Sequence, residues 1–124
     1  MSTYTIEGGH KLSGSITPQG AKNEALQVIS AVLLTSEEVI MSNIPEILDV
    51  KNLIGMVSSM GVKVKRLDKG VYSFQADAID EEYIESRDFV KKSAALRGSV
   101  MLVGPLLTRF GHAYFPKPGG DKIG

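Results

Sequence analysis

Apolar residues recur along the chain with two different periods, and these periods predict its helices and strands. Between residues 21 and 34 they stand three or four positions apart, which is the spacing of an amphipathic helix. The same spacing predicts a second helix over residues 49–60, which we expect Asp49 to cap and Gly61 to end. A third, longer helix is predicted over residues 89–107, disturbed by the Gly-Pro pair inside it.

Alternating polar and apolar residues predict the strands. Residues 4–16 contain two short alternating runs on either side of a Gly-Gly pair and are predicted to form a hairpin. Single short strands are predicted at residues 39–41 and 112–115, and residues 62–74 predict a hairpin around an Asp-Lys-Gly turn. The acidic residues 80–88 are predicted to be a surface connection. Helices and strands in this order indicate an α/β fold of the α+β type.

A weak internal repeat relates the two halves of the chain. Leu33-Leu34-Thr35 and Leu106-Leu107-Thr108 are identical triplets near the ends of predicted helices, and Pro45 and Pro118 follow them at the same offset. The order of the predicted elements agrees with this match. We therefore expect two stacked repeats that share a core, of which the second is only about half present.

Composition and charge exclude several classes of function. The 124 residues are 43% hydrophobic and 23% charged, as in ordinary globular domains. A net charge of zero provides no field to attract nucleic acid or an anionic membrane, and no apolar run reaches the ~18 residues that span a bilayer. The first residues do not resemble a signal peptide. We expect a cytoplasmic protein with no nucleic-acid or membrane partner.

Metal and thiol chemistry find no support in the sequence. The chain has no cysteine, which excludes disulfides, thiolate metal sites and thiol nucleophiles. Its two histidines, His10 and His112, lie far apart without the spacing of metal ligands. We expect neither a metal site nor a cofactor.

The start of the first predicted helix carries a candidate for chemistry. Gly20-Ala21-Lys22-Asn23 places a lysine where a cation opposes the helix dipole, at a cost of roughly 0.3–1 kcal/mol. The same position suits an anion, because free backbone N–H groups and the Lys22 charge meet there. Asn23 adds both a donor and an acceptor. A solvated surface lysine is the competing interpretation of Lys22.

A lone carboxylate near the end of the sequence is the second candidate. Asp121 follows a Pro-Gly-Gly loop, and the 32-residue stretch before it, residues 89–120, contains no acidic residue. That stretch contains five basic residues, Lys91, Lys92, Arg97, Arg109 and Lys117. A carboxylate on a conformationally open loop beside basic residues suggests a proton-transfer group near an anion site. A solvated turn residue is the competing interpretation of Asp121.

Four motifs, in this order and spacing, together resemble those of the enolpyruvyl transferase family, and within it the branch that acts on UDP-N-acetylglucosamine. The resemblance runs from Tyr4 to Gly124. The motifs are Gly20-Ala21-Lys22-Asn23, Arg97-Gly98-Ser99 leading to Gly104-Pro105-Leu106, Arg109-Phe110-Gly111, and Pro118-Gly119-Gly120-Asp121-Lys122-Ile123-Gly124. The related branch of the shikimate pathway also has a lysine at the first helix start, but it lacks the Pro-Gly-Gly loop.

The resemblance implies a fold and a division of the chain. The family fold is an inside-out α/β barrel of βαβαββ repeats in two lobes, of which about one and a half repeats are expected here. Residues 1–21 would be N-terminal strands that pack with the other lobe. Residues 22–88 would form the first repeat, and residues 89–124 the first half of the second, including the catalytic loop.

The resemblance also implies a reaction and its residues. The family branch transfers the enolpyruvyl group of phosphoenolpyruvate to the 3′-hydroxyl of UDP-N-acetylglucosamine, by addition and then elimination of phosphate, in the first committed step of peptidoglycan synthesis. Lys22 and Asn23 match residues that bind these substrates, and Arg97 matches an arginine that meets their negative charge. Asp121 stands where most members carry a cysteine, which donates a proton and is alkylated by fosfomycin. Aspartate can do the same general acid–base work if burial raises its pKa toward neutrality, so the exchange puts only the thiol chemistry in doubt.

Several alternatives stay open at this point. Arg97 is either a substrate ligand or a structural arginine whose stem packs in the fold. Arg109 and Lys117 are expected to be surface charges, and Met101 lies either near the sugar nucleotide or in the core. We expect the chain to be an N-terminal fragment of the enzyme that is inactive alone and self-associates. A non-catalytic α/β module that binds anions or assembles with itself is the second possibility, and the shikimate-pathway enzyme is the third.

Overall fold

A computed structural model of the chain describes residues 2–117; the predicted loop from Pro118 and its Asp121 lie outside the described residues. The described part contains helices and strands, with all of the strands in its first two thirds. They are α1 (Lys22–Ala31), extended by a 3-10 turn (Val32–Leu34), β1 (Glu38–Met41), α2 (Leu48–Ser59), β2 (Lys63–Asp68), β3 (Val71–Gln75), α3 (Glu81–Ile84), α4 (Arg87–Ala95), a 3-10 helix (Arg97–Leu102) and α5 (Val103–Phe110).

The three strands form one antiparallel sheet in the order β1-β3-β2, so β3 lies in the centre. Alternation divides its residues between two faces. On one face Phe74 lies opposite Val39 and is fully buried. On the other face Ile40 lies opposite Ser73 and is 61% exposed. The sheet therefore covers the core with one face, while its other face is exposed at Ile40 on the edge and buried at Ser73 in the central strand.

The helices and the inner sheet face share a single core. Helix α1 packs against α2 and against the 3-10 helix, while α5 packs against the turn that extends α1. The largest fully buried side chains come from all of these elements and include Phe74, Phe89, Ile29, Leu33, Leu53, Met56 and Leu106. Segments 22–75 and 84–106 are thus parts of one packed unit, in agreement with the predicted α/β fold.

Most of the elements between residues 21 and 75 are confirmed. The helix predicted over residues 21–34 is α1 with its 3-10 turn, and the predicted hairpin is β2 and β3. Helix α2 also ends where expected, before Gly61, but Asp49 does not cap it. The N-cap is Ile47, and the carboxylate of Asp49, in the first turn, accepts a hydrogen bond from Lys22 of α1 instead.

Two predicted strand regions are wrong. Residues 2–19 form no strand or helix and are exposed throughout, including the apolar Tyr4 and Ile6 of the predicted hairpin. Residues 112–115 also pair with no strand. Alternation marks a segment that is able to form a strand, but a strand also needs a neighbour to accept its backbone hydrogen bonds. Within the described part of the chain, neither segment has one.

The long helix predicted over residues 89–107 is broken into three pieces. The break falls at Leu96, which is extended with φ −117° and ψ 108°, and not at the Gly-Pro pair. The buried Ser99 hydroxyl donates to the Ser93 carbonyl at 2.8 Å, a local side-chain bond that competes with a continuous helix. Pro105 lies in the first turn of α5, where its missing N–H costs little.

The acidic connection at residues 80–88 is also more structured than predicted. It contains α3 and the start of α4, and each has a side-chain cap. Asp80 accepts from the Tyr83 N–H, and Ser86 accepts from the Phe89 N–H. Both caps satisfy backbone donors that a helix start otherwise leaves unpaired.

A charged cluster joins the loop before α2 to the β2–β3 hairpin. The Glu46 carboxylate accepts from Arg66 Nε at 2.6 Å and from the Tyr72 hydroxyl at 2.9 Å. These hydrogen bonds lower the pKa of Glu46 to about 2, Arg66 contributing most. Glu46 immediately precedes the N-cap of α2. The cluster therefore fixes the position at which α2 begins.

The identical triplets of the predicted repeat occupy similar environments. Leu33 and Leu106 are both fully buried, whereas Leu34 and Leu107 are 51% and 49% exposed. Arg109 follows the second triplet, and its Nη1 donates to the carbonyl oxygens of Leu33 and Thr35 at 3.0 Å each. Arg109 is therefore not the surface charge that the sequence predicted: it is half-buried and binds the carbonyl end of the α1 segment.

A candidate anion site between helix starts

An open cleft of about 600 Å³ lies where α1, α2 and the 3-10 helix begin. Its charged lining residues are Lys22, Asp49 and Arg97, so the cleft has an excess of one positive charge. Its remaining lining residues are polar or apolar: Asn23, Leu26, Gln27, Ala95, Leu96, Gly98, Val100 and Met101. The cleft therefore places two cations around a space large enough for a small organic anion.

Lys22 reaches this cleft because Gly20 anchors the start of α1. A Cβ atom at Gly20 would lie 1.9 Å from the Asn43 carbonyl oxygen, a distance that no side chain tolerates. Only glycine allows the two segments to approach this closely. Asn43 has a positive φ of 58°, which asparagine adopts more readily than most residues. The Gly20-Ala21-Lys22-Asn23 motif is thus a packing motif that sets the helix start.

Lys22 is the first residue of α1, and its ammonium binds across to α2. Lys22 Nζ lies 3.0 Å from Asp49 Oδ2, and the two side chains are 47% and 43% exposed. The N-cap of α1, Ala21, has no side chain that can accept from the first N–H groups. The first turn of α1 therefore has no side-chain cap, and its Lys22 and Asn23 line the cleft, the kind of helix start that suits an anion.

Arg97 reaches the cleft because the next two residues pack tightly. A Cβ atom at Gly98 would lie 2.8 Å from Leu26 Cδ1, so glycine allows the 3-10 helix to approach α1. Ser99 is buried and bonds to the end of α4 through its hydroxyl. The Arg97-Gly98-Ser99 motif thus combines one exposed cation with two residues that fix its backbone.

The structure brings together three of the four predicted site residues. Lys22, Asn23 and Arg97 are exposed and line the same cleft, although they come from two helix starts that are far apart in sequence. The fourth, Asp121, lies outside the described residues. Met101, for which two interpretations were open, is 44% exposed at the cleft and is not a core residue.

Sequence reasoning missed two polar residues of the cleft, Asp49 and Gln27. Asp49 was interpreted as a helix cap, and Gln27 was passed over as a polar position on α1. Gln27 lies one helical turn after Asn23, a spacing that puts both amides on one side of the helix. That spacing could have identified Gln27. Nothing in the sequence indicates that α1 and α2 start at the same end, which is what brings Asp49 to Lys22.

Neither a metal-binding cluster nor a membrane-spanning helix is found among the described residues. Between residues 2 and 117, no group of three or more histidine, aspartate or glutamate side chains is arranged to hold a metal ion. No helix in that range is long and apolar enough to cross a membrane.

Comparisons with known proteins agree on one family. A family model described as EPSP synthase (3-phosphoshikimate 1-carboxyvinyltransferase) matches residues 6–124. Proteins named UDP-N-acetylglucosamine 1-carboxyvinyltransferase from Porphyromonas gingivalis and Bacteroides thetaiotaomicron are 63% and 59% identical to this chain over all 124 residues. A protein of that name from Bradyrhizobium diazoefficiens is 40% identical over 121 residues.

These relatives are much longer than the chain. The chain spans 29% of the length of the first two and 27% of the third. Among solved structures, the crystal structure of the enolpyruvyl transferase NikO from Streptomyces tendae matches with a TM-score of 0.65 and 25% identity. That match covers 84% of this chain and 23% of NikO. The chain therefore belongs to the EPSP synthase family of enolpyruvyl transferases.

Proposed function

We propose that this chain is the N-terminal part of a cytoplasmic UDP-N-acetylglucosamine 1-carboxyvinyltransferase. The longer enzyme would transfer the enolpyruvyl group of phosphoenolpyruvate to the 3′-hydroxyl of the sugar nucleotide and release phosphate, the first committed step of peptidoglycan synthesis. Residues 22–88 would be its first βαβαββ repeat and residues 89–124 the first half of the second. Residues 1–21 would pack with the other lobe.

The observation that carries this proposal is the convergence of Lys22 and Arg97 on one cleft. Phosphoenolpyruvate carries a phosphate and a carboxylate. Charge-assisted hydrogen bonds to such groups are about twice as strong as neutral ones, and a helix start adds N–H donors. In this assignment Lys22 and Arg97 bind the anionic groups, and Asn23 bonds a hydroxyl or carbonyl of a substrate.

The choice of acceptor rests on the relatives and on the rest of the lining. The relatives that are 59–63% identical to this chain over its 124 residues are named for UDP-N-acetylglucosamine. The cleft also presents the Gln27 amide and the apolar Val100 and Met101, which suit an amphipathic sugar substituent better than a second phosphate. Both observations favour the sugar nucleotide over shikimate 3-phosphate.

Asp121 is proposed as the proton-transfer group. In the addition step the acceptor hydroxyl gives up its proton and forms a C–O bond to C2 of phosphoenolpyruvate, while C3 takes up a proton. In the elimination step C3 loses a proton, and the C–O bond to phosphate breaks. A carboxyl group serves such a transfer when its surroundings hold its pKa near the working pH. Arg97, which lines the cleft, would bind the phosphate that leaves.

The test is phosphate release by the longer protein that carries this chain, with each acceptor offered separately. We expect release with phosphoenolpyruvate and UDP-N-acetylglucosamine, and none above background with shikimate 3-phosphate. The 124-residue chain assayed alone should release no phosphate with either acceptor. Release with shikimate 3-phosphate alone would move the chain to the other branch of the family. No release with either acceptor would favour a non-catalytic module.

A further inference from the structure

We propose that Asp49 is a positioning residue that holds the Lys22 ammonium over the cleft before an anionic substrate arrives. This inference deepens the proposed function and rests on it, because it assigns a task to a second side chain of the same cleft. Asp49 Oδ2 accepts a hydrogen bond from Lys22 Nζ at 3.0 Å, and both residues line the cleft.

A carboxylate is unexpected in a site that takes an anion. Its charge repels the substrate, so on simple electrostatics Asp49 weakens binding. A lysine ammonium has three N–H donors, however, and within residues 2–117 Lys22 uses one of them, toward Asp49. Two donors stay available for phosphate or carboxylate oxygens. The substrate therefore does not have to break the Lys22–Asp49 bond in order to bind.

The advantage of the bond is preorganisation. A free lysine side chain loses rotamer freedom when it is fixed on a ligand, and this loss lowers the affinity. Lys22 has already lost that freedom because Asp49 holds it. Asp49 is itself well placed to do this, since the loop before α2 is fixed by the bonds of Glu46 to Arg66 and Tyr72.

The two effects of Asp49 predict opposite results for its neutral isostere. If its charge dominates, Asp49→Asn removes a repulsion and an anion binds more tightly. If its positioning dominates, Asp49→Asn releases Lys22 and an anion binds more weakly. We expect the second result, because both side chains are about half exposed and water screens the repulsion.

The experiment is a titration of the 124-residue chain with inorganic phosphate, followed by the NMR signals of the Lys22, Asn23 and Gly98 amides. We expect Asp49→Asn to raise the dissociation constant for phosphate by about three- to tenfold. This factor corresponds to part of the side-chain entropy that an unpaired lysine loses when it is fixed on a ligand. Asp49→Glu, which keeps the charge, should recover at least part of the affinity. The melting temperature of each variant reports separately on the fold.

The matched control is Asp77→Asn. Asp77 follows the end of β3 and pairs with Lys63 of β2 at 2.6 Å; its side chain is 32% exposed and does not line the cleft. Its loss should leave the affinity for phosphate unchanged. The double variant Lys22→Ala and Asp49→Asn should bind no more weakly than Lys22→Ala alone, because Asp49 acts through Lys22.

Three results would overturn the inference. They are tighter or equal binding by Asp49→Asn, an additional loss from Asp49→Asn when Lys22 is already alanine, and no saturable phosphate binding by the unsubstituted chain. The proposed function fails separately, when the longer protein releases no phosphate with either acceptor. An active enzyme with Asp49→Asn binding phosphate normally would sink this inference and leave the proposed function standing.

Discussion

Replacing Gly20 by alanine tests whether the close contact at Gly20 sets the start of α1. The added Cβ would lie 1.9 Å from the Asn43 carbonyl oxygen, more than 1 Å inside the closest contact that real Cβ atoms make. The obstacle is backbone, so no side-chain rotation relieves it, and either α1 or the Asn43 loop must move. Overpacking of this kind costs about 1–3 kcal/mol, and rigid backbone on both sides places Gly20→Ala at about 3 kcal/mol.

The matched control is Gly55→Ala. Gly55 lies within α2, and a Cβ there meets nothing within 4 Å. Alanine should therefore stabilise the chain by up to about 1 kcal/mol through its higher helix propensity. Urea denaturation followed by circular dichroism measures both changes. A Gly20→Ala chain as stable as the parent would refute the reasoning, as would equal losses at the two glycines.

Three further predictions concern Asp121, the acid stability and the association of the chain. In the longer enzyme Asp121→Asn should lower kcat by about 10²–10⁴-fold. Asp121→Cys should create time-dependent inactivation by fosfomycin that the parent lacks. A parent enzyme that fosfomycin inactivates would contradict the second expectation. Glu46→Gln should destabilise the fold above pH 4.5. Because the folded-state pKa of Glu46 is depressed, its contribution to stability is lost on protonation, and the stability difference between parent and variant should shrink as the pH falls toward about 2. A difference in urea midpoints that stays constant across pH would disprove this prediction. The apolar side chains within residues 2–19 are exposed over about nine-tenths of their area. Sedimentation should therefore show concentration-dependent self-association, which weakens when these residues are removed. A monomer at all concentrations would count against this prediction.

The sequence predicted the elements that carry their own signals. Helices α1 and α2 follow from apolar spacing, and the β2–β3 hairpin follows from alternation around the turn at Gly70. Lys22, Asn23 and Arg97 were identified as site residues from their motifs, and the structure places all three at one cleft. Local patterns sufficed here because each element buries the stripe that its own sequence defines.

The helix break, the role of Arg109 and the role of Asp49 could not be predicted, because they depend on contacts that the local sequence pattern does not show. The break at Leu96 follows from the Ser99 bond and from the approach of Gly98 to Leu26, neither of which a periodicity reveals. Arg109 binds the carbonyl groups of Leu33 and Thr35, which lie more than seventy positions earlier in the chain. Asp49 could be interpreted only as a cap until its distance to Lys22 was known.

The most direct test of the anion site is the steady-state kinetics of Lys22→Ala in the longer enzyme, with phosphoenolpyruvate as the varied substrate. Lys51→Ala is the control, because Lys51 is an exposed lysine on α2 outside the cleft. Loss of a charge-assisted hydrogen bond should lower kcat/KM for phosphoenolpyruvate by about 10–150-fold in Lys22→Ala. Lys51→Ala should stay close to the parent. Unchanged kinetics in Lys22→Ala, or equal losses at the two lysines, would contradict the assignment of this cleft to phosphoenolpyruvate.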